Sequence, residues 1–435
     1  MNIYTAEYKQ KLTTPEKAAE KINNGDTIVH GGTISEPPAL LAAVADRARE
    51  GSLKDIKVYS SLPMEYAART VLSPDLSDCI QAYSWFVTAA DRDQVKVGLS
   101  YYVPNYIHQI PRLCSDFMDI DVVITTVSPM DKAGYFTFGA VNDYTSVAAR
   151  NCKTLIVEVN ESMPRVFGDS LLHISEVASV VENHVPLIEI ISPEPKPEDE
   201  IIATHIAEMV VDGATIELGL GGIPNAIAHL LEGHKDLGIH TGVFVPAMVD
   251  LIEKGVITGR KKTLHPRKHV FMVAQGTKRM YDFINDNPGM ESYPASYTEA
   301  PSIIAQNDNM ISINTIIEVD LTGQCNAEFL AGSQFSGTGG QLDFVRGAFN
   351  SRGGKSIQAF YSTARNGKVS RIVTRFEPGT VITIPRMDTH YLATEYGVVN
   401  LKGKSTRDRA LGIISIAHPE FRDELLREAE NMYLI

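Results

Sequence analysis

Cysteine is scarce and scattered: the 435-residue chain carries four, Cys79, Cys114, Cys152 and Cys325. No two stand at metal-ligand spacing, and they are too sparse for a disulfide framework, so free thiols in a reducing compartment are expected. A metal is not expected either, because His173-Ile174-Ser175-Glu176 offers two ligating side chains three residues apart and no further ligands. Long apolar runs are missing. None reaches the ~18 residues that a membrane span requires, and the opening segment Met1 to Tyr8 lacks the apolar core of a signal peptide. A cytoplasmic location without a membrane partner is the expectation. Basic residues are outnumbered, 40 Lys and Arg against 53 Asp and Glu for a net charge of -13. With no basic stripe, a nucleic-acid partner is not expected. The dinucleotide fingerprint G-x-G-x-x-G and the serine elbow G-x-S-x-G are also absent, which argues against a nicotinamide oxidoreductase and a serine-type hydrolase.

What is present is an alternation of strand and helix patterns. Thr14-Pro15 offers an N-cap hydroxyl followed by a proline at the first helical position, and the helix read over 15–23 stops at Asn24-Gly25. Strand Thr27-Ile28-Val29-His30 leads through Gly31-Gly32 into a helix over 38–49. Further strands are read at 56–60, 80–87, 121–127, 154–159 and 186–191, then at 215–219, 236–240, 269–275, 310–315, 356–361 and 380–385. Helical patterns at 106–115, 143–150, 200–211, 224–232, 246–254, 403–411 and 419–431 separate or follow them, and Asp131 to Phe138 reads as a hairpin turn and strand. The pattern predicts an α/β fold.

The first unit recurs. Ala19, Glu20, Gly25, Thr27, Ile28 and Gly31 are matched by Ala207, Glu208, Gly213, Thr215, Ile216 and Gly219 at a constant offset of 188. Identities at one offset and in one helix–glycine–strand–glycine context point to two related halves. The alternating prolines Pro193, Pro195 and Pro197 with an acidic run read as an extended linker. Domains are therefore expected at 1–192 and 201–435, joined by 193–200.

Two glycine loops are candidate ligand contacts. Gly219-Leu220-Gly221-Gly222 follows a strand and precedes a helix, where free N–H groups could hold an anion or a polarised carbonyl; a purely structural turn is the alternative. Ser336-Gly337-Thr338-Gly339-Gly340 precedes Gln341, Asp343 and Arg346 and suits a loop pressed against substrate, with N–H groups aimed at a developing oxyanion. Gln341 could orient a carboxylate or carbonyl, and Asp343 with Arg346 reads as an organising pair. Lys278 follows a strand end and could meet a phosphate or sit in a surface ion pair. Arg260-Lys261-Lys262 with His265 and Arg267 to His269 is a short basic cluster, read chiefly as a solvated loop. Tyr83, Trp85 and Phe86 form an aromatic patch, Asp143-Tyr144 could hydrogen-bond across a cleft, and His30 and His240 read as packed or orienting groups.

The segments Glu36-Pro37-Pro38, Gly168-Asp169, His173 to Glu176, Leu218 to Pro224, Leu237 to His240, Gln334 to Ala348, Thr394 to Gly397 and Ala417-His418-Pro419 carry a resemblance over nearly the whole chain. It resembles the family I coenzyme A transferases of the acetyl-CoA hydrolase/transferase group, and within them 4-hydroxybutyrate and butyrate CoA-transferases. The resemblance implies two related open α/β domains with an active-site cleft between them, no permanently bound cofactor, a CoA thioester and a short carboxylate as substrates, and a homodimer or larger homo-oligomer. It implies that Gly219, Leu220, Gly221, Gly222, Gly242, Gln341 and Lys278 lie along the CoA thioester and that Gly339 or Gly340 supplies an oxyanion N–H. In the family a glutamate attacks the acyl-CoA, becoming an acyl anhydride and then a glutamyl-CoA thioester, which divides one difficult exchange between easier steps.

That glutamate stands two residues after the histidine of Gly-Ile-His-Ser-Glu. Here the segment is Gly238-Ile239-His240-Thr241-Gly242, and the match resumes at Val249-Asp250-Leu251 without an insertion. Glycine cannot form the thioester. Three explanations stand open: another carboxylate, with Glu36 and Glu65 as candidates; hydrolysis by an activated water at the old oxyanion site; or CoA-thioester binding without turnover.

Overall fold

The computed structural model describes residues 3–219 and 221–435. The chain forms two compact units. The first holds the chain up to Ile190 together with Val270–Thr298 and Gln334–Gly339; the second holds Ile191–His269, Glu299–Ser333 and Gly340–Ile435. Segments 270–298 and 334–339 thus pack with the first unit although they follow the expected linker, and that linker is partly helical, since the helix Pro197–Ala207 begins within it.

The first unit is built on seven strands: β1 (Thr27–His30), β2 (Ile56–Ser61), β3 (Ile80–Phe86), β4 (Ser100–Tyr102), β5 (Val122–Val127), β6 (Thr154–Val159) and β7 (Ser179–Glu182). Their order is β7-β6-β5-β1-β2-β3-β4, all parallel. The central strands read as continuous apolar runs because helices cover both faces of a parallel sheet. Ile28 pairs in register with Val58 on one side and Val122 on the other, and all three are buried.

The second unit contributes β8 (Thr215–Leu218), β9 (Gly238–Phe244), β10 (Met310–Thr315), β11 (Lys355–Ala359), β12 (Tyr391–Thr394) and β13 (Gly397–Asn400) in the order β13-β12-β11-β10-β8-β9. Only the β12–β13 hairpin is antiparallel. Ile216, the counterpart of Ile28 at the 188 offset, pairs with Ile239 and Ile311. In each unit the repeated strand lies between the next strand of the chain and a much later one. Such a reversal of strand order is where α/β sheets hold ligands, beyond the carboxyl ends of the strands. Gly31-Gly32 and Gly219 leave those ends. Gly25 and Gly213, equivalent in the repeat, both adopt left-handed backbone (φ +84° and +80°) just before their strands.

The helices at 38–49, 246–253 and 419–431 form as expected. Thr14 caps its helix through the Lys17 N–H, but the helix ends at Ala19. Residues 186–191 and 380–385 are not ladder strands; in the latter only Ile384 bridges, to Cys325, and Pro385 has no N–H to extend the pairing. The helical pattern over 106–115 breaks into short turns at 107–109, 110–112 and 113–117 around Pro111. The turn and strand read over 131–138 form, with the Asp131 N–H donating to the Tyr135 carbonyl at 2.8 Å, and Tyr135–Thr137 also pairs with the distant Leu171–His173. Among the described residues, no helix is long and apolar enough to cross a membrane.

Candidate active site

In the first unit the chain leaves β1 through Gly31-Gly32 and a short turn at Thr33–Ser35, which delivers Glu36. A Cβ on Gly32 would collide with the Ser61 carbonyl and lie 3.3 Å from the Tyr144 hydroxyl, so only glycine lets β1 and β2 close here. Tyr144 donates to the His30 carbonyl at 2.7 Å and accepts from the Ser61 N–H at 3.2 Å. The expected reach of this tyrosine across a cleft is instead a tie within one unit. Asp143 accepts from the Tyr144 and Thr145 N–H groups and from the Thr145 hydroxyl, and burial raises its carboxyl to about 6. His30 is held neutral, its pKa lowered to about 4 by burial.

The two carboxylates named from sequence take different places. Glu36 is buried; its oxygens accept from the Met64 N–H at 2.6 Å and the Ala67 N–H at 3.2 Å, the free donors at the start of the short helix Glu65–Arg69. Burial raises its pKa to about 7 against those hydrogen bonds. Glu65 turns outward, its side chain 49% exposed and ion-paired with Arg69 at 2.9 Å. The 337–339 loop packs on Phe86: a Cβ on Gly337 or Gly339 would come within 2.8 or 2.9 Å of the ring. The Ile107 N–H donates to the Gly339 carbonyl at 3.1 Å. Of the aromatic patch, Trp85 is buried, Tyr83 stacks on Tyr59, and Phe86 supports the glycine loop. Lys278 holds both oxygens of Asp282, one turn along an exposed helix, at 2.8 and 2.6 Å.

In the second unit, a Cβ on Gly219 would lie 4.0 Å from the Ile313 carbonyl, Leu220 lies outside the described residues, and Gly221 adopts φ +134° at the start of the helix Gly222–Leu230. Gly222 makes room for the Asp199 carboxylate, which accepts from the Lys196 N–H and the Tyr361 hydroxyl. The basic cluster is bound into this unit: Arg260 pairs with Asp236, and Lys262 is buried, donating to the carbonyls of Ile239 and Lys268.

One face of the second sheet is unusually polar for a buried surface. Glu217 on β8 lies beside Ser312 on β10 and accepts from the Ser312 hydroxyl at 2.8 Å and the Asn314 amide at 2.9 Å. Gln358 on β11 donates to Ser356 and accepts from Gln341, whose amide also donates to the Thr315 carbonyl. Gln341 is thereby anchored to the sheet at the start of the helix Gln341–Asn350. Arg346 pairs with Asp388 at 3.0 Å. His240 and Gly242 on β9, two residues apart, point to a common face, and the His240 ring lies 6.4 Å from that of Phe344.

Glu299, which sequence reasoning did not single out, enters the same neighbourhood. Its side chain is 2% exposed, and its pKa is raised well above the ordinary carboxyl range by burial, then by the charges of Asp343 and Glu217. Glu217 is itself raised to about 7 by burial. A Cβ on Gly242 or on Gly340 would overlap the Glu299 carboxyl oxygens. Three buried carboxyls, Glu217, Glu299 and Asp343, close enough for two of them to raise the pKa of the third, have the character of a functional site. Nothing in Tyr297-Thr298-Glu299-Ala300-Pro301 distinguishes this glutamate locally. The only signal in the sequence is the pair of glycines that must leave it room.

Sequence profiles of the acetyl-CoA hydrolase/transferase N-terminal domain and C-terminal domain match residues 1–192 and 276–429. The chain belongs to the acetyl-CoA hydrolase/transferase family. It is 41% identical to a succinyl-CoA:cyclohexane-1-carboxylate CoA transferase of Geobacter metallireducens, covering 99% of this chain and 97% of that one. It is 40% identical to a 4-hydroxybutyrate coenzyme A transferase of Clostridium kluyveri, covering 98% and 99%. The crystal structure of RipA from Yersinia pestis superposes with a TM-score of 0.96 at 48% identity, covering 99% and 100%.

Proposed function

We propose that this protein transfers coenzyme A from a short-chain acyl-CoA, 4-hydroxybutyryl-CoA or butyryl-CoA, to a free carboxylate such as acetate. The observation that carries the reading is its full-length likeness to CoA-transferases that serve chemically different acids. The exchange conserves the thioester and needs a protein carboxylate to hold CoA between the two acids. In this reading Gly219, Gly221 and Gly222 lie beside the thioester, where backbone can approach without side-chain interference, and the Gly339 or Gly340 N–H receives the developing oxyanion. The protein acts in the cytoplasm as a homodimer or larger homo-oligomer, with CoA as substrate and not as a resident cofactor. Purified protein supplied with butyryl-CoA, with and without acetate, tests the reading. Acetate-dependent appearance of acetyl-CoA and butyrate supports it; release of free CoA at the same rate without acetate replaces it with hydrolysis.

A further inference from the structure

The resemblance places the nucleophile of related enzymes at Gly242, and the volume that a side chain there would enter is already filled. A Cβ built on Gly242 would overlap Oε1 of Glu299 and lie 3.3 Å from its Cδ. From the opposite side, a Cβ on Gly340 would overlap Oε2 and lie 2.7 Å from Cδ. The carboxyl of Glu299 thus lies between two glycines, in space that a side chain at either position would take. It occupies the space into which a glutamate at 242 would project. Neither glycine has left-handed backbone, so the space taken by Glu299, not the chain conformation, accounts for them.

A structural role leaves Glu299 unexplained. Its Oε2 is buried and, among the described residues, has no hydrogen-bond partner. An orphaned buried polar atom is destabilising, and the nearby acids Glu217 and Asp343 add to the cost of ionising it. The other candidate carboxylates are engaged. Glu36 accepts two backbone N–H groups, Glu65 pairs with Arg69, and Glu217 accepts from Ser312 and Asn314.

We infer that Glu299 is the catalytic nucleophile of this chain, its carboxyl reaching from residue 299 to the place a side chain at 242 would otherwise supply. The inference rests on the CoA-transfer reading above. Glu299 first loses its proton to solvent; an oxygen of the resulting carboxylate then bonds to the acyl carbonyl carbon, the carbon–sulfur bond breaks, and CoA leaves as thiolate, giving a mixed anhydride. The thiolate then attacks the γ-carbonyl carbon of Glu299. The anhydride carbon–oxygen bond breaks, and the first acid leaves as its carboxylate while CoA remains as a glutamyl thioester. The second carboxylate reverses these two steps and carries CoA away, restoring the Glu299 carboxylate with no redox change and no net proton.

The test is intermediate trapping. Wild-type protein is incubated with butyryl-CoA alone, quenched in acid and mapped by peptide mass spectrometry. The expected result is a mass increase of CoA less water on the peptide containing Glu299, discharged as acetyl-CoA when acetate is added before the quench. Glu299→Gln, which keeps size and shape, should abolish the adduct and lower transfer on the order of 10⁴-fold or more, with an unchanged circular dichroism spectrum. A second variant guards against misfolding: Glu299→Ala combined with Gly242→Glu should regain transfer relative to Glu299→Ala and carry the adduct at position 242. An adduct on Glu36, Glu65 or another carboxylate, or transfer by Glu299→Gln within tenfold of wild type, overturns the inference while leaving CoA transfer intact. Absence of acetate-dependent exchange by the wild-type protein overturns the transfer reading itself.

Discussion

Alanine at position 242 should destabilise the protein while Glu299 is present and stabilise it once Glu299 is removed. Gly242 lies in a buried strand without left-handed backbone. Substitution of glycine by alanine in a compatible conformation ordinarily stabilises by about 0.4–1 kcal/mol, because the unfolded chain loses freedom. Here the new methyl group would overlap Glu299 Oε1. A carboxyl at the tip of a side chain can usually swing aside, but this one already lies close against the Gly340 backbone, where an added Cβ would fall 2.7 Å from Glu299 Cδ. Overpacking of this kind costs about 1–3 kcal/mol. In a Glu299→Ala background the space opens and the ordinary sign should return, giving a coupling of about 2–3 kcal/mol between the two positions. The single tryptophan, Trp85, belongs to the first unit, so its fluorescence does not follow the second. Hydrogen exchange on peptides covering 238–244 and 340–350 in all four proteins measures the effect where it occurs. If Gly242→Ala shifts protection in the same direction and by the same amount in both backgrounds, Glu299 does not occupy the space assigned to it.

Three further outcomes follow from the geometry. The Glu217 pKa is raised by burial from the ordinary carboxyl range to about 7, so its contribution to stability is fully present below about pH 4.3 and is lost as pH rises through 7. Glu217→Gln should flatten that fall by up to ~3 kcal/mol in urea unfolding followed by circular dichroism; an unchanged pH profile would remove Glu217 as its source. Tyr144→Phe should cost about 1–3 kcal/mol by leaving the His30 carbonyl and Ser61 N–H without their shared hydroxyl. Because Trp85 packs edge-on against Tyr144 at 5.0 Å, its fluorescence should report the earlier unfolding, and an unshifted midpoint would count against the tie. Gly32→Ala should be worse than Gly222→Ala in thermal melts, since the first methyl meets the fixed Ser61 carbonyl and the second meets a movable Asp199 side chain; the reverse order would show that β1 and β2 are not held as closely as described.

Much of the architecture was legible because it is written in local chemistry. Thr14-Pro15, Pro38 and Pro246 start helices with a fixed φ at the first turn, and the apolar runs around Ile28 and Ile216 mark strands buried on both faces. The 188-residue repeat pointed to two related α/β halves, and its two strands take equivalent central places in their sheets. Failures came where partners are distant. Residues 186–191 have strand-like composition but join no ladder, and residues 380–385 make only the Ile384 bridge to Cys325.

The candidate site divides along the same line. By itself the sequence determined the family, the glycine turns that follow the strands at 27–30 and 215–218 and the presence of a glycine at 242, because these are matters of residue type and spacing. Only the tertiary structure decided what became of the named residues and what fills the gap. Glu36 closes a helix, Glu65 faces Arg69, Gln341 is tied to Gln358, and Glu299 lies between Gly242 and Gly340. Glu299 is 57 residues from Gly242 and 41 from Gly340 along the chain, and no helical or strand period relates the three. Their meeting is a property of close packing, in which a side chain from one segment can take the volume that two others leave empty.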